Sequence, residues 1–299
     1  MSQTYRSGVA AICGPPNAGK STLLNQLLQQ KIAIVSPKPQ TTRNRIMGVV
    51  HGEDYQIIVL DTPGLHEAKE EMNRRMVRAA LEALAEADVA VFLADASDPG
   101  LQKAGRFEQQ LVFLDNAPCP VLLALNKIDL LPRPQLLPLI DWCRHQYPFA
   151  AIVPLSALHG EGMDRLLDEL VARLPEGPQY YPDDMPTDVS ERFLVAEIVR
   201  ESIFMRTREE VPYSTAVLID LFDESVAPLR IVATILVERN SQKGIVIGKG
   251  GTMLAQIRKQ ATAEISKVLG RPVRLELWVK VQKNWTEKKD LLQALGLPE

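Results

Sequence analysis

GPPNAGKS, residues 14–21, decides how the chain folds at its start. The apolar run GVAAICG (8–14) leads into it, and KSTLLNQLLQQK (20–31) leads out, so the loop joins a buried strand to a helix. Gly14 and Gly19 let the backbone come close to phosphate oxygens. Backbone N–H groups and the helix N-terminus then face the anion. Lys20 adds positive charge at the β- and γ-phosphates, and the Ser21 hydroxyl is placed to ligate Mg²⁺.

Outward from this loop, short buried strands alternate with longer helical stretches. IMGVVHGEDYQIIVLD (46–61) reads as a hairpin turning at Gly52, Glu53 and Asp54. Residues 70–87 read as helix, 88–95 as strand, 102–116 as helix and 120–126 as strand. Helix 136–146, strand 150–156 and helix 162–174 complete the series. Continuous apolar strands bounded by helices predict a largely parallel sheet covered on both faces, with one antiparallel edge strand from the hairpin. The fold class is α/β in this part.

Three further motifs follow in order. DTPG (61–64) ends a strand; Asp61 can hold Mg²⁺ through water, and the Gly64 amide can meet the γ-phosphate. NKID (126–129) ends a later strand. Asp129 there offers the acceptor pair that guanine N1–H and its exocyclic amine need; adenine lacks that donor pair. Asn126 and Lys127 would brace the pocket and the base plane. SAL (156–158) follows the last strand, and the Ala157 amide is expected to meet guanine O6. Each motif is weak alone, and NKID can equally be a plain strand end; their order carries the weight. SPKPQTTRNR (36–45) is polar and proline-broken, and reads as a mobile switch loop. Thr42 is the expected Mg²⁺ ligand in it, with Thr41 as second candidate; the bland reading is a surface loop with incidental threonines.

The chain has 299 residues, 46% hydrophobic and 24% charged, which suits two soluble domains. The N-terminal residues lack a basic region followed by an apolar stretch, so no secretory signal is expected. No run reaches the roughly 18 apolar residues that span a bilayer. Cys13, Cys119 and Cys143 have no metal-like spacing and read as reduced thiols of a cytosolic protein. PEGPQYYPDDMPTD (175–188) carries four prolines and marks a linker. The expected division is 1–174, a linker at 175–189, and a C-terminal domain at 190–299.

Charge separates the two parts. From Arg239 to Lys289 there are twelve basic and three acidic residues, a net of +9, while the whole chain is −3. The remainder is therefore −12, and the asymmetry points to a polyanion partner for the C-terminal part. That part reads as helix (190–207), strand (214–222), strand (229–239), short helix (242–247), helix (252–269), strand (273–281) and helix (285–295). A second glycine turn, GKGG (248–251), joins its two middle helices. No Lys-Ser/Thr pair follows its last glycine, so it offers no Mg²⁺ ligand. Two helices joined by Gly-Lys-Gly-Gly, with basic surroundings and three strands, describe a KH domain, an α+β RNA-binding module. Gly248, Gly250 and Gly251 would let an RNA backbone pass, with Lys249 neutralising phosphate. Ile245 and Ile247 are either part of an apolar platform for bases or ordinary core. In RLELWVKV (274–281) alternation puts Trp278 on the polar face, where it either stacks on a base or packs under the last helix.

The set GPPNAGKS, QTTR, DTPGLH, NKID and SAL resembles the translation-factor-related small GTPases, specifically the Era branch, and the resemblance runs on through a type II KH domain. It implies GTP and GDP as ligands with Mg²⁺, and nucleotide contacts from Gly14, Asn17, Ala18, Gly19, Lys20, Ser21, Thr22, Asp61, Gly64, Asn126, Lys127, Asp129, Ser156, Ala157 and Leu158. It implies Mg²⁺ ligation by Ser21, Thr42 and Asp61, and a catalytic part for Lys20, Asn17, Thr42 and Gly64. Ras-like enzymes carry a glutamine after the D-x-x-G motif; Leu65 stands here and cannot hold a water. The resemblance suggests K⁺ stimulation through Asn17; alternatively Asn17 only stabilises the turn. His66 reads as a solvent-facing loop residue rather than a base. Slow turnover follows. RNA contacts are implied at Lys243, Ile245, Ile247, Gly248, Lys249, Gly250, Gly251 and Lys280. The implied partners are the 3′ region of small-subunit ribosomal RNA and the small ribosomal subunit. The implied state is a cytoplasmic monomer, with peripheral association at the inner face of the cell membrane also described for the family. Two other readings stay open: a passive RNA chaperone that binds nucleotide without turnover, and a GTPase whose KH-like domain binds a protein or an anionic membrane.

Overall fold

A computed structural model of the chain describes residues 5–38, 41–64, 71–103, 105–115 and 117–296. The described residues form two compact units. One draws on residues within 1–33, 42–69 and 76–188, the other on residues within 34–41, 70–75 and 189–299.

In the first unit, β1 (Arg6–Cys13) pairs in parallel with β3 (Tyr55–Asp61) and with β4 (Val89–Asp95). β5 (Val121–Asn126) and β6 (Ala151–Pro154) continue the parallel series. The edge strand β2 (Ile46–His51) is antiparallel to β3, as the hairpin reading expects. The order is β2-β3-β1-β4-β5-β6. β5 is buried at every position because both of its sides are covered, which is why its sequence, VLLALN, is apolar without alternation. Five parallel strands end on one side of the sheet. The loops after Cys13, Asp61, Asp95, Asn126 and Pro154 therefore gather at their carboxyl ends, the usual place for a ligand in such sheets.

Helices α1 (Lys20–Leu28), α2 (Glu71–Ala85), α3 (Arg106–Leu111) and α4 (Arg133–Arg144) connect these strands, and α5 (Met163–Val171) follows the last of them. α3 is much shorter than the stretch 102–116 predicts. Gly105, in left-handed backbone (φ 77°), precedes its start, and a 3₁₀ turn at Val112–Leu114 follows its end.

The proline-rich stretch after α5 has no regular structure, yet it is tied down. Buried Gln56 accepts from the Tyr180 and Tyr181 N–H groups at 2.8 and 3.0 Å and donates to the Tyr181 carbonyl at 2.8 Å. Val49 N–H donates to the Pro186 carbonyl (2.8 Å), and the Thr187 hydroxyl to the Met47 carbonyl (2.6 Å). These bonds cover the outer edge of β2, which would otherwise offer unpaired backbone groups.

The second unit carries α6 (Glu191–Arg206), β7 (Ala216–Asp223), β8 (Leu229–Val237), α7 (Asn240–Ile247), α8 (Thr252–Leu269), β9 (Val273–Val281) and α9 (Lys289–Ala294). Its sheet runs β7-β8-β9, with β7 antiparallel and β9 parallel to β8. Ser190 caps α6 by accepting the Phe193 N–H at 3.2 Å. On α8 the apolar residues Leu254, Ile257, Ala261, Ile265 and Val268, spaced by three and four, mark one face; Ile257, Ala261 and Ile265 are fully buried and Leu254 and Val268 half-buried. The last helix is split: a 3₁₀ turn at Trp285–Glu287 precedes α9, and Trp285 is fully buried with its indole N–H on the Ser214 carbonyl at 2.8 Å. Residues 34–41 belong to this unit. Glu201 of α6 accepts the Val35 N–H (2.9 Å), and buried Arg200 of α6 donates to the Thr41 carbonyl.

Candidate nucleotide site and nucleic-acid interface

The loop between β1 and α1 is held from several sides. Asn126, at the end of β5, donates from Nδ2 to the Ala18 carbonyl at 2.7 Å. A Cβ at Gly19 would lie 2.3 Å from that same nitrogen, and Gly19 has φ of 101°, so only glycine fits there. Gly64 brings the DTPG turn against the loop, where a Cβ would meet the Pro16 ring at 3.0 Å. Lys20 is buried and folds back over the loop, donating to the carbonyls of Gly14 (3.1 Å) and Pro15 (2.9 Å). Burial lowers its pKa while nearby Asp61 opposes the shift. Asn17 is exposed, in left-handed backbone with φ of 63°.

Three oxygen-bearing side chains from three segments meet beside Lys20. Ser21 Oγ lies 2.6 Å from Thr42 Oγ1 and donates to Asp61 Oδ2 at 2.7 Å; Thr42 Oγ1 is 3.4 Å from the same carboxylate oxygen. Asp61 is fully buried, and its Oδ1 has no hydrogen-bond partner. Burial pushes its carboxyl up to about 6, against the pull of Lys20 and of hydrogen bonds from Ser21, Thr42 and the Thr62 N–H. An all-oxygen set with one unpartnered buried carboxylate oxygen fits a small hard cation of the Mg²⁺ kind.

At the far end, Asp129 Oδ1 accepts from Ser156 Oγ at 2.6 Å, which fixes the carboxylate plane. Lys127 has φ of 65°, and its Nζ meets Asp95 Oδ2 at 2.6 Å. Asp95 and His159, the latter 3.8 Å from Asp129 Oδ2, are site-lining residues that the motif reading passes over. The signal for Asp95 is a carboxylate closing the apolar strand VAVFLAD. The Ala157 N–H donates to Asn126 Oδ1 at 2.9 Å, which holds the asparagine side chain in place. Leu158 is 70% exposed and sits on the rim, and Thr22 is half-buried on α1. Leu65 and His66 lie outside the described residues.

In the second unit, α7 ends at Gly248 (φ 74°), and Gly250 and Gly251 (φ 59° and 79°) turn the chain into α8. A Cβ at Gly250 or Gly251 would meet no protein atom within 4 Å. Their outer side is open for a ligand backbone, and Lys249 between them and Gly248 is exposed. Ile245 is exposed, Ile247 and Lys243 are half-buried, and Val246 beside them fills the core. Lys280 is not brought to the turn. It lies on the sheet face opposite the helices, with Trp278, which is 63% exposed; the indole buried near the C-terminal helix is Trp285.

Comparison with known proteins agrees with this geometry. Residues 9–127 match the family described as 50S ribosome-binding GTPase, and residues 210–286 match the KH domain. The GTPase Era of Geobacter metallireducens is 49% identical over 295 residues, covering 98% of each chain. That of Syntrophus aciditrophicus is 48% identical over 299 residues, covering 99% of this chain and 96% of its own. A crystal structure of Era with MgGDPNP and nucleotides 1506–1542 of 16S ribosomal RNA superposes with TM-score 0.93 at 43% identity, covering 99% of this chain and all of the other. An Aquifex aeolicus Era variant bound to GDP and AlF₄⁻ gives TM-score 0.91, also at 43% identity, over 98% of this chain and all of its own.

Proposed function

The chain belongs to the Era family of GTPases, and from that we propose that it is a Mg²⁺-dependent GTP switch acting on the 3′ region of small-subunit ribosomal RNA during assembly of that subunit. The meeting of Ser21, Thr42 and Asp61 oxygens around an unpartnered carboxylate oxygen carries the reading. Those residues would hold Mg²⁺, which when bound neutralises charge on the β- and γ-phosphates. Lys20 already sits over the loop on carbonyl acceptors, and phosphate oxygens would be stronger acceptors for its ammonium. Asp129, oriented by Ser156, selects guanine by accepting its N1–H and amine. Because Thr42 lies in the expected switch loop, the γ-phosphate and the cation favour one arrangement of that loop over others.

No glutamine follows DTPG, so the attacking water lacks the usual orienting side chain. We place a K⁺ ion at Asn17 in that part and expect slow turnover without it. The GKGG turn would hold the RNA backbone, with Gly250 and Gly251 giving access and Lys249 charge. The division into GTPase domain (1–174), linker (175–189) and KH domain (190–299) is kept as a functional one. We place the protein in the cytoplasm as a monomer, with the inner membrane face as a secondary location. No helix among the described residues is long and apolar enough to cross a membrane.

Equilibrium binding of GTP and ATP, with and without Mg²⁺, tests the nucleotide half. GTP should bind at least about a thousandfold tighter than ATP, because a buried acceptor left unpaired by the wrong base is heavily penalised. Asp61→Ala should abolish the effect of Mg²⁺. Equal affinity for the two nucleotides would contradict the reading.

A further inference from the structure

The three-stranded sheet of the C-terminal unit has two unlike faces. Ile231, Ala233, Ile235 and Val237 of β8 are fully buried and share a core with α6, α7 and α8. The alternate residues point the other way. Pairing of β8 with β9 is unbroken, so Arg230 stands beside Arg274, Val232 beside Glu276, Thr234 beside Trp278 and Leu236 beside Lys280 on that outer face.

Trp278 is 63% exposed there. It has no part in the core, since Trp285 fills the buried aromatic position near the C-terminus. Along the strand its neighbours on this face are Lys280 on one side and Glu276 on the other, with Arg274 beyond Glu276; Lys280 and Arg274 are exposed, and Arg230 lies across from Arg274. The acids on this face are already engaged. Glu276 lies between Arg230 (3.5 Å) and Arg274 (3.6 Å), and Asp220 accepts the Thr234 hydroxyl at 2.6 Å. Leu236 beside Lys280 is nearly buried, so the face is covered at that end and open around Trp278. An exposed aromatic ring with a lysine beside it and arginines farther along the strand suits unpaired nucleic acid, with the base on the ring and phosphates on the cations.

We propose that this outer sheet face is a second RNA contact, where an unpaired base stacks on Trp278 and the adjoining phosphates meet Lys280 and Arg274. The proposal rests on the RNA-binding reading above. It explains why Lys280 lies apart from the GKGG turn, which sits between helices packed on the opposite face. A Gly-x-x-Gly turn clamps about four nucleotides, so only a longer strand can reach both faces.

The test is equilibrium binding of the full chain to two single-stranded RNAs matching the 3′ end of small-subunit ribosomal RNA, one of about five and one of about thirty nucleotides. Trp278→Ala should weaken the long RNA by about tenfold or more, the usual effect of removing a stacking platform, and leave the short one unchanged. Trp278→Phe should restore most of the loss. Wild-type tryptophan emission should be quenched by the long RNA and not by the short one, and the quench should vanish in Trp278→Phe. This readout needs no alanine variant to fold. If Trp278→Ala binds the long RNA as wild type does and no quench is seen, the proposal is overturned. A protein captured on this face with RNA binding unaffected overturns it too. If the wild type binds neither RNA, the RNA-binding reading of the GKGG turn fails first and takes this inference with it. Binding to both RNAs that is lost in Gly250→Asp while only the long one responds to Trp278→Ala separates the two claims.

Discussion

Asn126 donates from Nδ2 to the Ala18 carbonyl at 2.7 Å while its Oδ1 takes the Ala157 N–H at 2.9 Å. One nearly buried amide thus joins the phosphate loop, the NKID strand end and the SAL turn. Asn126→Ala strands a buried carbonyl and a buried N–H, each worth about 1–3 kcal/mol. We expect GTP affinity to fall by at least about tenfold and the denaturation midpoint to drop. Wild-type affinity in Asn126→Ala would show that the three loops hold their places without it.

Trp285 is the largest fully buried side chain, and its indole N–H satisfies the Ser214 carbonyl. Trp285→Ala should destabilise the C-terminal unit by about 3–5 kcal/mol. Trp285→Phe should cost less, about 1–3 kcal/mol, because it keeps the ring and leaves the carbonyl unpaired. Urea unfolding of the three proteins would show this order. Trp278→Ala should leave the midpoint close to wild type, since that ring is exposed.

The thiols differ in environment. Burial pushes Cys13 and Cys143 up to about 12, and raises Cys119, which is only half-buried. The thiolate is the reactive form, so at pH 8 the native protein should present Cys119 alone to a thiol reagent, and slowly. Denatured protein should titrate all three. Rapid labelling of Cys13 in native protein would contradict the packing of β1.

Lys249 is exposed in a turn that leaves its glycines open. Lys249→Glu should weaken single-stranded RNA at every sequence alike and lower the slope of log K against log salt by about 1 or more. Gly250→Asp adds a negative charge and a strained φ, and should weaken RNA binding more while the nucleotide site keeps its affinity. An unchanged salt slope in Lys249→Glu would remove this lysine from the interface.

Local patterns in the sequence foretold much of this. The phosphate loop, the hairpin at Gly52–Asp54 and the three-four spacing of Leu254, Ile257, Ala261, Ile265 and Val268 are local; the structure turns the hairpin there and buries the middle three of that helix stripe, with Leu254 and Val268 half-buried. Strict alternation likewise put Trp278 on the outer sheet face. What stayed hidden depends on partners far along the chain. Gln56 reads as a polar residue in a strand, yet it anchors Tyr180 and Tyr181 more than 120 positions later. Asp95 reads as a strand end, and its bond to Lys127 appears only when β4 and β5 lie side by side. The bond of the Ala157 amide to Asn126 likewise joins residues far apart in the chain. The C-terminal helix is interrupted at Lys288, whose backbone is extended between the 3₁₀ turn and α9.

The most direct test of a GTP switch tied to an RNA module is GTP hydrolysis in matched K⁺ and Na⁺ buffers, with and without RNA matching the 3′ end of small-subunit ribosomal RNA. We expect a slow rate in Na⁺, stimulation by K⁺ that is lost in Asn17→Ala, and further stimulation by the RNA that is lost in Gly250→Asp. A slow rate that responds to neither K⁺ nor RNA would contradict the account, leaving an RNA-binding protein that carries a nucleotide without using it as a timer.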